Sequence, residues 1–213
     1  MTTSTAQRPP ARGRRRALEA SVLAPLVVCL LGCLTIDATL KPDGSGSFEM
    51  TYRTPPNTTA EAEKRRFSSP HVVIDSLSLV DSSSAALKAH FDDATKVNTA
   101  EGFKNVTVTR GREGDDEKLT VTIVNPIPAE VPDQGQPGPK ITLHLPGAVR
   151  EANHDAKVSG DTVTWSFSFS QWMREKSTTL TVRYAAAGAA PEAPKDAPAG
   201  AAKDKPATHQ TTH

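Results

Sequence analysis

Apolar and polar residues alternate with a period of two along much of this chain between residues 34 and 184. Successive side chains of a β-strand point to opposite faces, so this pattern predicts strands with one buried face. The first two runs cover residues 34–40 and 48–52, and residues 41–46 between them have the composition of a turn. They therefore predict a β-hairpin with the apolar positions Leu34, Ile36, Ala38, Leu40, Phe48, Met50 and Tyr52.

The pattern changes after two consecutive prolines, Pro55 and Pro56, which end the second strand. Residues 58–67 then predict a short helix, because a threonine hydroxyl can cap its first turn and acidic residues follow. Residues 72–80 are mainly β-branched residues and leucine, and they predict a further strand.

Residues 85–91 allow two interpretations. Their apolar positions alternate as in a strand, which would complete a second hairpin. Leu87, Phe91 and Ala94 also fit helical spacing behind a serine cap, so the sequence leaves strand and helix open. Residues 93–103 favour weakly helical or irregular structure.

The second half of the chain contains the clearest hairpin. Val106 and Val108 precede a charged, glycine-containing turn, and an alternating run follows it at residues 119–123. Residues 126–140 contain five prolines and two glycines and predict a loop. Further strands are predicted at residues 141–145, 163–169 and 180–184, with a turn at residues 159–161.

These segments together predict an α+β domain over residues 33–185. We expect mainly an antiparallel β-sheet of about eight or nine strands, with one or two short helices. Because each strand has one polar and one apolar face, the apolar face must be covered by helix or by a second sheet.

The first 32 residues differ from this central part and have the features of an export signal. Five arginines precede an uncharged apolar stretch over residues 20–31. That stretch has about a dozen residues, whereas a bilayer-spanning helix needs about 20. Leu30, Leu31, Gly32 and Cys33 form a lipobox-like sequence, with a small residue before a thiol that can accept a diacylglyceryl group. We therefore expect residues 1–32 to be a lipoprotein signal peptide and Cys33 to be the lipidated first residue of the mature chain.

Cys29 serves as an internal comparison, because bulky Val28 precedes it and it is expected to be part of the apolar stretch. At the other end, residues 186–213 are rich in Ala, Pro and Lys and have too little apolar content to fold. They predict a disordered tail.

Charge and cysteine content exclude several classes of function. The net charge of +1 becomes −3 once residues 1–32 are removed, since 20 basic residues then face 23 acidic ones. Without a basic run, nucleic acid is not an expected partner. The two cysteines are Cys29 and Cys33, so the domain can have no disulfide and no thiolate site. The six histidines lack metal-ligand spacing, and neither a metal nor a cofactor is expected.

The polar clusters of the sequence do not predict catalysis. His90 and Asp92 lie on the polar face of a predicted strand, as solvated residues do. Residues 43–46 offer one carboxylate where calcium needs several, and they are expected to be a turn. The three acidic residues 115–117 lie at the tip of a predicted hairpin, where charged residues are ordinary, and are not expected to bind calcium. The serines at 82–84 lack the Gly-x-Ser-x-Gly setting of a hydrolase nucleophile. The protein is therefore not expected to be an enzyme.

Large apolar side chains are concentrated in one short segment. Although aromatic residues make up only 5% of the chain, five large apolar groups fall within nine positions: Trp165, Phe167, Phe169, Trp172 and Met173. One interpretation is a core strand continued by a capping turn. The other is that Trp172 and Met173 line an apolar groove or touch the bilayer, where partly solvated aromatic residues are common. Trp165, Trp172 and Met173 are therefore the candidate ligand-binding residues.

Several motifs resemble those of the LppM-type bacterial lipoproteins. They comprise residues 32–36 running into 42–46, then residues 145–149, Ala152 with Asn153, and residues 160–165. The resemblance covers roughly residues 33–185 and implies a membrane-tethered α+β domain related to lipid-binding folds. It further implies a role in glycolipid binding or in envelope and host interaction. Members often carry a transmembrane helix after the domain, whereas this chain has a polar tail.

We therefore expect an exported, non-enzymatic lipoprotein, held on the cell membrane or outer membrane by the lipid on Cys33. Its domain is expected to bind an envelope lipid or another apolar ligand. The alternative is a structural or assembly protein that contacts envelope proteins or wall polymer through a sheet edge or its tail.

Overall fold

The computed structural model describes residues 34–186, which form mainly β-strands with a few short helices, as predicted. The first half contains β1 (Thr35–Leu40), β2 (Gly46–Arg53), α1 (Ala60–Phe67), β3 (Val72–Asp81), β4 (Ser84–Phe91) and the 3₁₀ segments Ala94–Thr99 and Glu101–Phe103. The second half contains β5 (Val106–Glu113), β6 (Asp116–Val124), β7 (Pro137–His144), β8 (Val149–Ala152), β9 (Lys157–Ser159), β10 (Thr162–Ser168), α2 (Phe169–Arg174) and β11 (Ser177–Ala185). The predicted signal peptide, Cys33 and the predicted tail beyond Ala186 lie outside these residues.

The strands form two sheets. The larger sheet has the order β3-β4-β2-β1-β7-β10-β9, and the smaller has the order β5-β6-β11-β8. Strand pairs in the described part of the chain are antiparallel except β1 with β7, where Ile36 lies beside Ile141. This parallel pair arises because the chain leaves the larger sheet after β4, forms β5 and β6, and then returns. The sequence pattern did not predict it.

The apolar faces of the two sheets share one hydrophobic core. The alternation predicted for β2 is complete, because Phe48, Met50 and Tyr52 are buried while the residues between them are exposed. The smaller sheet contributes Leu119 and Leu180, among others, to the same core. The sequence pattern allowed either helix or a second sheet to pack on the apolar face of the larger sheet, and it is mainly the smaller sheet that does so.

The predicted helix at residues 58–67 is confirmed as α1. The Thr59 hydroxyl caps it by accepting a hydrogen bond of 3.2 Å from the backbone N–H of Ala62, and the helix buries Glu63 and Phe67. Within residues 34–186, no helix has the length and apolar content needed to cross a bilayer.

Residues 85–91 form a strand rather than a helix. As part of β4 they lie between β2 and β3 and pair with both. Both rows of backbone groups are therefore satisfied by neighbouring strands, and this tertiary pairing decides between two locally similar propensities.

The loop predicted at residues 126–140 is too long, because β7 begins at Pro137. Prolines are tolerated there since the pairing of β7 with β1 begins only at Lys140. Gly138 is required by close approach: a Cβ at this position would lie 2.7 Å from the backbone of Ser168.

The strand predicted through Phe169 ends one residue earlier, where α2 starts. The Ser168 hydroxyl accepts a hydrogen bond of 3.2 Å from the backbone N–H of Gln171 and so caps this helix. The strands β8 and β9, of four and three residues, were not predicted because such short runs give little alternation.

Candidate functional site: an apolar groove between the sheets

The two sheets do not close completely on each other. Between them lies a cavity of about 140 Å³, here called the inner cavity, whose sixteen lining residues are all apolar. They are Ile36, Ala38, Leu40, Phe48, Phe91, Ala94, Val97, Phe103, Val106, Val108, Leu119, Val121, Ile123, Ile141, Leu143 and Leu180. Such a lining offers dispersion contacts and no hydrogen bond, so it suits a hydrocarbon ligand.

A second cavity of about 110 Å³, here called the outer cavity, adjoins the first. The two share Ile36, Phe103, Val106 and Ile123 as lining residues, and together they form the groove. The outer cavity is also mainly apolar, and the side chains with polar groups in its lining are Asn105, Asn125 and Trp172. It reaches Leu34 at the start of the described chain.

The groove follows from the separation of the two inner faces. Ala38 on β1 and Val121 on β6 point inward by the alternation of their strands, yet they remain half-buried. In a fully closed sandwich of two sheets, such positions interdigitate and are buried. Here they line the space that the opposing sheet leaves free.

The two ends of the domain can be assigned from strand register. β1 begins beside Leu34 and ends at Leu40, so we call these the Leu34 end and the Leu40 end. At the Leu40 end, Arg110 of β5 donates a hydrogen bond of 2.7 Å to the carbonyl oxygen of Pro42 in the β1–β2 turn. This bond ties the smaller sheet to the larger one beyond the inner cavity.

Arg110 is held by a polar cluster of its own. It forms a hydrogen-bonded ion pair with Glu117, whose carboxylate also accepts a hydrogen bond of 2.9 Å from the Tyr184 hydroxyl. Burial, together with this bond to a carboxylate, raises the pKa of Tyr184 to about 12. The cluster therefore keeps the phenol neutral and the sheets joined.

A second polar contact holds α1 against the larger sheet. The hydroxyl of Tyr52 on β2 donates a hydrogen bond of 2.6 Å to the carboxylate of Glu63, and both residues are buried. Burial and the hydrogen bond to Glu63 raise the pKa of Tyr52 well above its usual range. The contact positions Phe67, at the end of α1, in the wall of the outer cavity.

The three predicted ligand-binding residues occupy different places. Trp172 lines the outer cavity. Trp165 is buried in the core and donates a hydrogen bond of 2.8 Å from its indole nitrogen to the carbonyl oxygen of Asn153. Met173 is also buried, and neither it nor Trp165 is among the lining residues of the groove. The structure thus brings one of the three to the groove.

The Trp172 side chain has an unusual polar environment. Its ring packs against Phe167 with centroids 5.3 Å apart, and 3% of the residue is exposed. Its indole N–H is buried and finds no hydrogen-bond acceptor among residues 34–186. A buried donor without an acceptor lowers the stability of the fold.

The aliphatic residues that line most of the groove were not singled out by the sequence analysis. Val106, Val108, Val121 and Ile123 were recognised there only as inward positions of a hairpin. Their alternation gave the correct face, but an inward position touches either a partner side chain or a cavity, and the sequence pattern is the same for both.

The polar candidates of the sequence lie elsewhere. The imidazole of His90 lies 2.7 Å from the Asp75 carboxylate, and the carboxylate of Asp92 lies 3.0 Å from the ring of His71. These four residues form two separate, exposed pairs. Within residues 34–186, no group of three or more His, Cys, Asp or Glu is placed to hold a metal ion.

These features define a two-sheet β domain with an apolar groove between its sheets. The chain is similar to a solved structure, the folded domain of Mycobacterium tuberculosis LppM determined by NMR. The TM-score is 0.48 and the sequence identity 16%, over 74% of this chain and 90% of that one. This is the protein type that the sequence motifs resemble. No family model and no curated protein matches the chain.

Proposed function

We propose that this chain is a lipid-anchored envelope protein whose groove binds an acyl chain of an envelope lipid. The observation that carries the proposal is the inner cavity, about 140 Å³ of space with an entirely apolar lining. Since its walls bear no titratable or nucleophilic side chain, the proposed function is binding without catalysis.

The volume of the groove favours one acyl chain over a whole lipid. An apolar cavity of about 150 Å³ can hold one benzene molecule, which has six carbons. By that measure the inner cavity accepts about six carbons of a chain and the outer cavity about four. The head group would then remain outside the groove.

The partial exposure of the groove lining also favours an occupant. Ala38, Val108 and Val121 line the inner cavity and are only half-buried, so part of their apolar surface stays in contact with water. A chain entering this space would remove that surface from water, which is favoured by about 25 cal/mol per Å². A site that binds apolar ligands is a physical reason to retain such a cavity.

The proposed anchor is the thioether lipid on Cys33, one residue before Leu34. Two or more acyl chains hold a protein on a membrane stably, whereas one gives only marginal binding. The location would be the cell membrane or, in a cell with two membranes, the outer membrane. A lipid attached there would keep the groove next to its source of ligand.

Mass spectrometry of the processed protein tests the binding. The full chain is expressed in a lipoprotein-processing bacterium, purified from membranes in mild detergent, and analysed under native and denaturing conditions. Denaturation should retain the covalent lipid and release an additional, non-covalent acyl lipid. Wild-type protein free of non-covalent lipid would contradict the proposal and favour an assembly protein.

A pair of variants on one strand makes this test specific to the groove. Val108 lines the inner cavity, whereas its neighbour Thr107 is exposed on the opposite face of β5. Val108→Phe fills space that the acyl chain needs, at a cost of about 1–3 kcal/mol to the complex. The affinity of the groove for the lipid should therefore fall by about 5- to 150-fold, and its lipid occupancy should fall with it. Thr107→Phe should leave it unchanged, and equal occupancy in both variants would place the lipid elsewhere.

A further inference from the structure

Exposed apolar side chains collect at one end of the domain. Among residues 34–186, the large hydrophobic residues with substantial exposure are Val73, Leu79, Val80, Val124, Ile127 and Val158. Strand register places Leu79 and Val80 at the Leu34 end. The lining of the outer cavity places Val124 there as well, and Ile127 follows three residues later. Val73 lies at the Leu40 end, and Val158 is level with Ala38, nearer the Leu40 end than the Leu34 end.

The register argument begins with the larger sheet. Thr35 pairs with Thr51 of β2, and Arg53 of β2 pairs with Ser84 of β4. The β3–β4 turn therefore lies at the Leu34 end, together with the preceding residues Leu79 and Val80. Val73 lies at the opposite end of β3, because the neighbouring Val72 pairs with Phe91, and Phe91 with Gly46.

The outer cavity provides the corresponding placement for Val124 and Ile127. Leu34, Val124, Pro126 and Trp172 all line it, so the end of β6 and α2 meet the start of the chain there. Ile127 follows immediately and is 40% exposed. The outer cavity thus lies at the end that carries most of the exposed apolar surface.

The segment that presents these residues is fixed by a buried polar side chain. The Asn125 amide donates a hydrogen bond of 3.3 Å to the carbonyl oxygen of Met173, and its carbonyl oxygen accepts one of 3.1 Å from the N–H of Ile127. Asn125 is 8% exposed. Val124 and Ile127 are therefore held outward by well-formed structure.

We propose that the Leu34 end docks on the acyl and glycerol region of a phospholipid bilayer, so that the groove opens towards the membrane. The predicted lipid site, Cys33, precedes Leu34 directly, and one residue spans at most about 3.6 Å. A lipid on that residue therefore holds the Leu34 end within a few ångströms of the bilayer. The four exposed apolar residues then face hydrocarbon instead of water.

Trp172 gives the Leu34 end of the groove a second feature that suits a lipid. Its buried indole N–H lacks an acceptor among the described residues, and its ring forms part of the outer cavity wall. The ester carbonyl oxygens of a phospholipid are acceptors that lie between head group and acyl chains. An acyl chain in the groove would bring such an oxygen towards the Leu34 end of the groove. This step rests on the proposed binding of an acyl chain in the groove, whereas the docking rests on the proposed anchor at Cys33.

Two matched pairs of labelled positions test the docking. Val124 and Val73 are valines of similar exposure, 46% and 50%, at opposite ends. Each is changed to cysteine in the full chain, processed in cells so that Cys33 carries its lipid, and labelled with a polarity-sensitive fluorophore. The protein is reconstituted in vesicles of phosphatidylethanolamine and phosphatidylglycerol. Lipids with nitroxides on their acyl chains should quench Val124→Cys strongly and leave Val73→Cys nearly unquenched.

A second pair keeps the test valid if one variant fails to fold. Ile127→Cys at the Leu34 end is compared with Val158→Cys, since these residues are 40% and 47% exposed. Val158 pairs with Val163, which pairs with Leu143 beside Ala38, and β9 thus lies towards the Leu40 end. Equal quenching within both pairs, or stronger quenching at the Leu40 end, would overturn the docking.

The same protein separates this inference from the proposed function. Its non-covalent lipid is measured by mass spectrometry before reconstitution. Quenching at Val124→Cys without bound lipid would sustain the docking and contradict the groove as a binding site. Bound lipid with no difference in quenching between the ends would support the groove as a binding site and contradict the docking.

Discussion

Trp165 Nε1 donates a hydrogen bond of 2.8 Å to the carbonyl oxygen of Asn153 and thereby joins the two sheets. Trp165 belongs to β10 in the larger sheet, whereas Asn153 directly follows β8 in the smaller one. The Asn153 side chain donates to the carbonyl oxygen of Thr179 at 2.7 Å and accepts from the N–H of Thr181 at 2.8 Å. Asn153 thus extends the pairing of β8 with β11 and supplies the acceptor for the buried indole.

Replacing Asn153 should weaken the closed part of the sandwich. Asn153→Ala removes both side-chain hydrogen bonds to β11 and leaves a strand N–H short of an acceptor. We expect the free energy of unfolding to fall by about 2–3 kcal/mol. Urea denaturation followed by tryptophan fluorescence measures this. Glu151→Ala, an exposed change on β8, should cost less than about 0.5 kcal/mol; equal losses would show that the Asn153 contacts contribute little.

The Arg110–Glu117 pair makes a second prediction about stability. Both side chains are about four-fifths buried. Arg110→Met leaves the Glu117 carboxylate without its cation and should lower the free energy of unfolding by about 2–3 kcal/mol. The double variant Arg110→Met/Glu117→Gln removes the uncompensated charge and should recover at least about 1 kcal/mol.

Chemical denaturation of the three proteins checks this coupling. The matched control is Lys118→Met, which breaks the exposed pair of Lys118 with Glu113 and should cost about 0.5 kcal/mol or less. A double variant no more stable than Arg110→Met would refute the role given to the buried charge.

Alkaline pH should destabilise the domain through its tyrosines. The chain has two, Tyr52 and Tyr184, and the pKa of each is raised in the folded state, that of Tyr184 to about 12. An unfolded tyrosine ionises near pH 10. The stabilisation due to neutral Tyr184 is therefore complete below about pH 10 and is lost as the pH rises towards about 12.

Phenolate absorbance and circular dichroism, recorded together, follow this titration. Phenolate should appear only as the domain unfolds. The free energy of unfolding should fall less steeply between about pH 10 and about pH 12 in Tyr184→Phe than in the wild-type protein. Phenolate forming with a midpoint near pH 10 while circular dichroism stays native would contradict the burial of both hydroxyls.

The lipid anchor is tested at its cysteine. Cells fed a fatty-acid analogue should label the wild-type protein, and Cys33→Ser should abolish both the label and cleavage before residue 33. Cys29→Ser should behave as wild type, since Val28 does not fit the lipobox pattern. Unlabelled wild-type protein, or label that depends on Cys29, would exclude Cys33 as the lipid site.

Local signals predicted a large part of the fold. The alternation of residues 48–52 became the fully alternating burial of β2, and the Thr59 hydroxyl capped α1 as its position in the sequence indicated. Each of these depends on groups a few residues apart. The signal peptide, the lipid on Cys33 and the disordered tail also rest on local patterns, and they stay predictions.

Long-range contacts decided what local patterns left open. Residues 85–91 had strand and helix signals of similar strength, and pairing on both sides made them β4. Trp165 and Trp172 stood in one aromatic cluster, yet Trp165 became a link between sheets and Trp172 part of a cavity wall. Their different roles depend on the residues that the fold places beside them, Asn153 for Trp165 and Leu34 for Trp172.

The inward side chains could be predicted from the amino-acid sequence, because their direction depends only on the two-residue period of a strand. The tertiary structure decided which inward side chains meet a partner and which, such as Val108 and Val121, border empty space. That outcome depends on how far apart the two sheets stand. The distance is set by contacts at their edges and ends, such as Arg110 with Pro42, and no single strand encodes it.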